Sequence, residues 1–212
     1  MKYTTPLLVI ALLASLTGCN FIVKNPNPAD RPVAEEPAPV PQLPEKTVTV
    51  FITTSEGNIT LELWPEKSPQ TVENFLVYVD EGFYDGTIFH RVIPGFMIQG
   101  GGFTPRLQKK VTHAPITNEA RSDVKNERGT IAMARTDKPH SATAQFFINH
   151  ANNYPLDHVS PTDRGYGYCV FGKVTKGMDV VDAIARVQTA TINGRGDVPV
   201  EPVLIESIRR AD

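Results

Sequence analysis

Arg91 and Gln99 lie on either side of Phe96 and Met97 in the stretch Phe89-His90-Arg91-Val92-Ile93-Pro94-Gly95-Phe96-Met97-Ile98-Gln99-Gly100-Gly101. A cationic fork, a neutral amide and two large apolar side chains are thus gathered within a few positions. No nucleophile or metal-ligand set accompanies them. Arginine stays charged at any relevant pH and presents planar donors. Beside an apolar hollow, such donors suit holding and polarising a peptide bond without breaking it. Other familiar chemistries are missing from the sequence. The five histidines (His90, His113, His140, His150 and His158) show no HExxH or other close metal-ligand spacing. No G-x-S-x-G elbow, P-loop or dinucleotide fingerprint occurs. His90 precedes Arg91 on an alternating strand, so the two are expected on opposite faces. That leaves His90 as a structural or surface residue.

These residues need a scaffold, and the surrounding pattern predicts one. Thr47–Thr53 and Ile59–Leu63 alternate apolar and polar residues around Glu56-Gly57-Asn58, which reads as an antiparallel hairpin. Ser68 can cap a helix that starts with Pro69, shows Val72, Phe75, Leu76 and Val79 on one face, and stops at Gly82. A second helix is expected from Met178 to about Val187. Further short strands are expected at Ile88–Ile93, Phe96–Gln99, Thr130–Arg135, Gln145–Asn149, Tyr168–Val174 and Val203–Ile208. Eight strands and two helices predict a mainly β fold, a closed eight-stranded antiparallel β-barrel capped by two α-helices. Closure removes the exposed sheet edges that such strands would otherwise present.

The chain divides into three compositional blocks. Residues 1–18 carry one charge, Lys2, and an apolar run from Leu7 to Leu16 that is too short for a permanent membrane span. They read as a signal peptide. Leu16-Thr17-Gly18-Cys19 resembles a bacterial lipobox, which implies lipidation at Cys19; the alternative is an ordinary secretory signal with a chance cysteine. Residues 19–46 contain Pro26, Pro28, Pro32, Pro37, Pro39, Pro41 and Pro44, a composition that permits neither helix nor ladder and suits a semi-rigid tether. Residues 47–212 are long enough for one domain with a substantial core. They hold 17 Lys and Arg against 19 Asp and Glu, and no basic run interleaved with aromatics, so nucleic acid is a disfavoured partner. Cys169, within Tyr168-Cys169-Val170-Phe171, is expected to be a buried free thiol.

The Phe89–Gly101 stretch resembles the signature of the cyclophilin family of peptidyl-prolyl cis-trans isomerases. Three further blocks agree in order: Arg128-Gly129-Thr130-Ile131-Ala132-Met133-Ala134-Arg135, Ser141-Ala142-Thr143-Ala144-Gln145-Phe146-Phe147-Ile148-Asn149, and Tyr168-Cys169-Val170-Phe171-Gly172-Lys173-Val174. Thr71-Val72-Glu73-Asn74-Phe75 is similar to the family's first helix. The resemblance covers essentially the whole domain. It implies rotation about Xaa-Pro amides with no cofactor and no metal, Arg91 as central catalytic residue, and Gln99 as a donor that helps orient it. It also implies a substrate groove formed by Phe96, Met97, Ala134, Arg135, Gln145, Phe147, Leu156 and Tyr168. Arg135 stands where the family has an asparagine, a change that could add charge preference along the groove.

Before Leu156 the family usually carries Trp or Phe, whereas this chain reads Asn153-Tyr154-Pro155-Leu156. Either Tyr154 takes the aromatic role through a one-residue shift or the loop is reshaped around Pro155. The family's cyclic-peptide inhibitor, cyclosporin, uses that aromatic residue, so weak sensitivity is expected. The full reading is a monomeric isomerase acting on proline-containing, unfolded or flexible exported polypeptides. It would be lipid-anchored in a bacterial envelope, with the outer membrane favoured because Asn20 is not an inner-membrane Asp signal. The rival readings are a peptide-binding chaperone module and a structural envelope lipoprotein.

Overall fold

The structure is a computed structural model and describes residues 47–211. The expected signal peptide, the lipid on Cys19 and the Pro-rich tether lie outside the described residues. Strands β1 (Val48–Thr54) and β2 (Gly57–Leu63) form the expected hairpin, with Val48 opposite Leu63 and Thr54 opposite Gly57. Their alternation sends Val50, Ile52, Ile59, Leu61 and Leu63 into the core, all fully buried.

Helix α1 (Pro69–Asp80) follows, with Val72, Phe75, Leu76 and Val79 buried as the periodicity predicts. Each such side chain contributes roughly 1.5–3 kcal/mol on burial. Gly82, at φ 63°, takes the left-handed conformation just beyond the helix end. The capping contact differs from expectation. The Ser68 hydroxyl turns inward and donates to the Val170 carbonyl oxygen at 3.0 Å. The free amides of the first turn are served instead by Glu119, whose carboxylate accepts from the Gln70 N–H, the Thr71 N–H and the Thr71 hydroxyl.

Next come β3 (Thr87–Ile93), β4 (Met97–Gly100), β5 (Thr130–Met133), β6 (Phe146–Asn149), β7 (Val170–Lys176) and α2 (Met178–Ile184). Two strands that the sequence reading missed then form a separate ribbon, β8 (Thr189–Ile192) with β9 (Arg195–Pro199). Strand β10 (Val203–Arg210) completes the chain. The barrel closes in the order β1-β10-β3-β4-β6-β5-β7-β2, with every pairing antiparallel. The eight strands expected from the sequence are the eight of the barrel. Several are shorter or shifted: β5 ends at Met133 rather than Arg135, and α2 ends at Ile184 rather than Val187.

The barrel interior, with the inner faces of α1 and α2, forms one core, in which the Phe75 ring meets Tyr84, Phe146 and Phe171 at centroid distances of 5.2, 5.7 and 5.2 Å. A smaller apolar cluster, Met97, Ala132, Phe147 and Val170, is distinct from that core. Strict alternation explains both. On β4, β5 and β6 the residues Ile98, Ile131, Met133, Phe146 and Ile148 point inward, while Met97, Ala132 and Phe147 point outward. This wall is therefore apolar on both faces, and its outer face needs a covering or a ligand. Cys169 is a buried free thiol, as expected.

Candidate active site

The outer face of the β4-β6-β5 wall is the floor of a hollow of about 130 Å³ lined by Arg91, Phe96, Met97, Gln99, Ala134, Arg135, Phe147, Leu156 and Tyr168. On this measure a single water needs roughly 10–15 Å³, so a five-membered ring can enter. Of the ten groove residues expected from the sequence, nine line this hollow. The tenth, Gln145, stands beside it, and its side-chain oxygen accepts from the Gln99 amide nitrogen at 3.1 Å.

Arg91 and Gln99 are directly opposed in the β3–β4 register. The hairpin tip that joins them is clamped from outside. The Phe96 carbonyl oxygen accepts from the His150 N–H at 2.9 Å and from the Asn153 side-chain amide at 2.8 Å. The Gly95 N–H donates to His150 Nδ1 at 2.9 Å. Phe96 is thereby held half-buried at the edge of the hollow while Met97 and Phe147 are almost wholly buried in its floor. Phe147 and Tyr168 meet edge to face, with centroids 5.6 Å apart.

His90 departs from expectation. The β3–β4 register shifts between Phe89 and Arg91: Phe89 pairs with Gly100 and Arg91 with Gln99, which leaves His90 as an extra residue. Such a bulge interrupts alternation. Phe89 and Val92 both reach the core, and His90 and Arg91 both face outward. The two line a second hollow of about 310 Å³ together with Gln99, Phe103, Lys109, Gln145, Arg195 and Gly196. Yet His90 is only 6% exposed, its ring lies 4.5 Å from that of Phe103, and its Nδ1 makes no hydrogen bond. Burial, reinforced by the Arg195 charge, pulls its pKa from 6.5 down to about 4. It is a structural packing residue, neutral at neutral pH, as one of the two expected readings had it, but it does not lie on the face opposite Arg91.

The far wall is built by polar groups that the sequence reading did not single out. Asn149 donates to Thr130 Oγ1 at 2.9 Å and accepts from Asn153 at 2.7 Å. Asn126 donates its backbone N–H to the buried Asp157 carboxylate at 2.7 Å. Between these anchors Tyr154–Leu156 makes a short 3-10 turn that directs Leu156 at the hollow. Tyr154 is 54% exposed and does not line the hollow, and Pro155 borders a neighbouring depression. Tyr154 therefore does not supply an aromatic side chain to the wall of this hollow.

Arg135 directs most of its donors at backbone carbonyls of the rim rather than into the groove. Its Nε donates to the Gly167 carbonyl oxygen, and its terminal nitrogens donate to the carbonyls of Thr136, Asp137 and Asp163, at 2.9–3.1 Å. The guanidinium lies 4.8 Å from the Tyr168 ring centroid. It ties two loops together at the rim. Among the described residues no three His, Cys, Asp or Glu side chains gather to hold a metal ion.

Residues 49–210 match the model of the family described as cyclophilin type peptidyl-prolyl cis-trans isomerase/CLD. The chain belongs to the cyclophilin family. A peptidyl-prolyl cis-trans isomerase of Streptomyces antibioticus is 61% identical over 161 residues, covering 76% of this chain and 97% of that one. Isomerase B of Escherichia coli K12 is 56% identical over 155 residues, covering 73% and 94%. Among solved structures, a Cryptosporidium parvum cyclophilin-type isomerase, crystallised in the presence of the dipeptide Ala-Pro, superposes with a TM-score of 0.67 at 27% identity. That match covers 77% of this chain and 99% of the other. The cyclophilin domain is accordingly a peptidyl-prolyl cis-trans isomerase, and its two-faced barrel wall is the surface on which the expected groove residues converge.

Proposed function

We propose that this cyclophilin rotates Xaa-Pro bonds of exported polypeptides at the outer wall of its barrel, with Arg91 and Gln99 acting on the amide. Rotation must overcome a barrier of about 18–20 kcal/mol set by amide resonance. At the top of that barrier the prolyl nitrogen becomes pyramidal and its lone pair localises. A donor aimed at that nitrogen stabilises the twisted amide more than the planar one, which is what lowers the barrier. The Arg91 guanidinium fills this role, and its permanent charge needs no proton transfer. Gln99, held by Gln145, keeps the donor side of the hollow in register. Met97, Phe96, Phe147 and Leu156 grip the proline ring while the preceding residue turns. The observation that carries the reading is the pairing of Arg91 with Gln99 at the rim of an apolar hollow of ring size.

The decisive experiment compares wild type with Arg91→Ala in an isomerisation assay on an Xaa-Pro peptide. Loss of one such electrostatic donor is expected to slow turnover about 10²–10³-fold. Equal rates in the two proteins would refute the catalytic role. A client-refolding assay on the same pair separates turnover from binding alone.

We further propose that the domain is tethered to a bacterial envelope membrane, the outer membrane favoured, by a lipid on Cys19. The support is the Leu16-Thr17-Gly18-Cys19 sequence and the prolines that follow it. Stable attachment takes more than one acyl chain. Mass analysis of the mature N-terminus from isolated membranes is expected to find an acylated Cys19; an unmodified N-terminus would overturn the tether. Exported chains are fitting clients because their prolyl bonds isomerise over tens to hundreds of seconds without catalysis.

A further inference from the structure

The ribbon of β8 and β9 joins the barrel through no hydrogen-bonded ladder, yet it lies alongside β3, the strand that carries Arg91. Its turn, Asn193-Gly194, has both residues in the left-handed region, at φ 53° and 78°, as a tight two-residue hairpin requires. Arg195, just after the turn, places its guanidinium 4.6 Å from the centroid of Phe103 and so rests the ribbon on the loop that follows β4. Two residues further on, Asp197 is itself left-handed, at φ 61°. Aspartate tolerates this conformation better than most side chains, but it is still disfavoured outside glycine. Here it turns the carboxylate toward β3, and Asp197 Oδ2 lies 3.6 Å from Arg91 Nε.

We infer that Asp197 is a positioning residue for Arg91, holding the guanidinium by its inner nitrogen so that the two terminal nitrogens stay aimed at the prolyl amide. The inference rests on Arg91 being the donor to that amide. Nε is the guanidinium nitrogen nearest the aliphatic stem, so a partner there fixes the plane of the fork without occupying its outer donors. An arginine free to sample its rotamers would lose this aim, and misplacement by an ångström near a reacting centre can lower rates by up to about 10²-fold. The pair is open to solvent, with side chains 42% and 46% exposed, so its weight in fold stability is small. A role in geometry is therefore separable from one in folding.

Asp197→Asn and Asp197→Gly both tolerate the left-handed backbone, and both remove the charge. Each is to be compared with wild type, Arg91→Ala and the double variant Arg91→Ala/Asp197→Gly in steady-state isomerisation and thermal melting. The single Asp197 variants are expected to melt with wild type, keep KM within about twofold and lose about three- to tenfold in kcat. Raising salt to about 1 M is expected to slow wild type toward the variants and leave the variants unchanged. The double variant should be no slower than Arg91→Ala. Wild-type kcat in both Asp197 variants, beside an inactive Arg91→Ala, would overturn the positioning role and leave the Arg91 reading intact. Additive losses in the double variant would also overturn it. An active Arg91→Ala would instead overturn the reading on which the inference rests.

Discussion

His90 allows a quantitative test of the bulge on β3. It is buried and neutral in the folded chain with a pKa of about 4, against an ordinary value of 6.5 in the unfolded one. Between these values the unfolded state binds more protons than the folded state, so stability falls as pH falls. The effect is absent well above 6.5, grows through the interval and saturates below about 4. With those two pKa values the loss is roughly 1 kcal/mol at pH 6, about 2 at pH 5 and about 3 at pH 4. His90→Gln removes the titrating group and keeps a polar side chain of comparable length. The assay is urea denaturation of wild type and variant at each of these pH values. Every other titrating group is common to both proteins, so the difference between their unfolding free energies isolates His90. We expect the variant to gain on wild type by about 3 kcal/mol between pH 7 and pH 4, most of it below pH 6. Parallel stability profiles would refute the reasoning, because they would mean that His90 protonates in the folded state as readily as in the unfolded chain.

Three further outcomes follow from named contacts. In Gly102→Ala the new Cβ would stand 2.4 Å from Gln145 Cγ and 2.7 Å from its amide nitrogen, so Gln145 must swing away from Gln99. Loss of one neutral hydrogen bond, about 1 kcal/mol, predicts about a fivefold fall in kcat/KM; an unchanged value in the folded variant would show that Gln145 does not support Gln99. Glu119→Ala strips three donors of their acceptor at the start of α1 and is expected to lower stability by about 1–2 kcal/mol in urea denaturation, with little effect if water replaces the carboxylate. Cyclosporin is expected to inhibit weakly, because Tyr154 stands outside the groove wall; submicromolar inhibition of the purified protein would contradict this.

Much of the barrel was legible because its strands alternate and its first helix repeats apolar residues at helical spacing, signals that depend only on nearby residues. The groove was legible by resemblance: its residues lie in ordered blocks, and Met97 and Phe147 project opposite to their core neighbours by simple alternation. His90 was misplaced because a bulge adds one residue to a strand, and alternation carries no mark of where the count slips. Ser68 stands at the N-cap of α1 as expected, but its hydroxyl does not serve the first turn; the side-chain acceptor there, Glu119, is 48 and 49 positions away from the amides it serves and so left no local signal. The β8–β9 ribbon was missed because Thr189–Ile192 and Arg195–Pro199 are only four and five residues long, with Gly196 and Pro199 among them. Asn193-Gly194 was a usable hairpin signal that would have revealed it. Arg135 was read for its charge, whereas the fold uses its donors on carbonyls from two loops.

The wall of β4, β6 and β5 has a mechanical consequence. Its inner side chains are locked into the close-packed core, and interiors of that kind are hard to compress. The floor of the hollow therefore has little compliance of its own, because it cannot yield without the barrel yielding too. On the proposed reading a bound proline ring would rest on an anvil, with the torsion borne by the bound chain rather than by the protein. Adjacent positions on one strand are thus expected to fail in different ways: damage at Phe146 is read in melting alone, whereas damage at Phe147, also buried, is read in melting and, on the proposed reading, in the affinity for substrate.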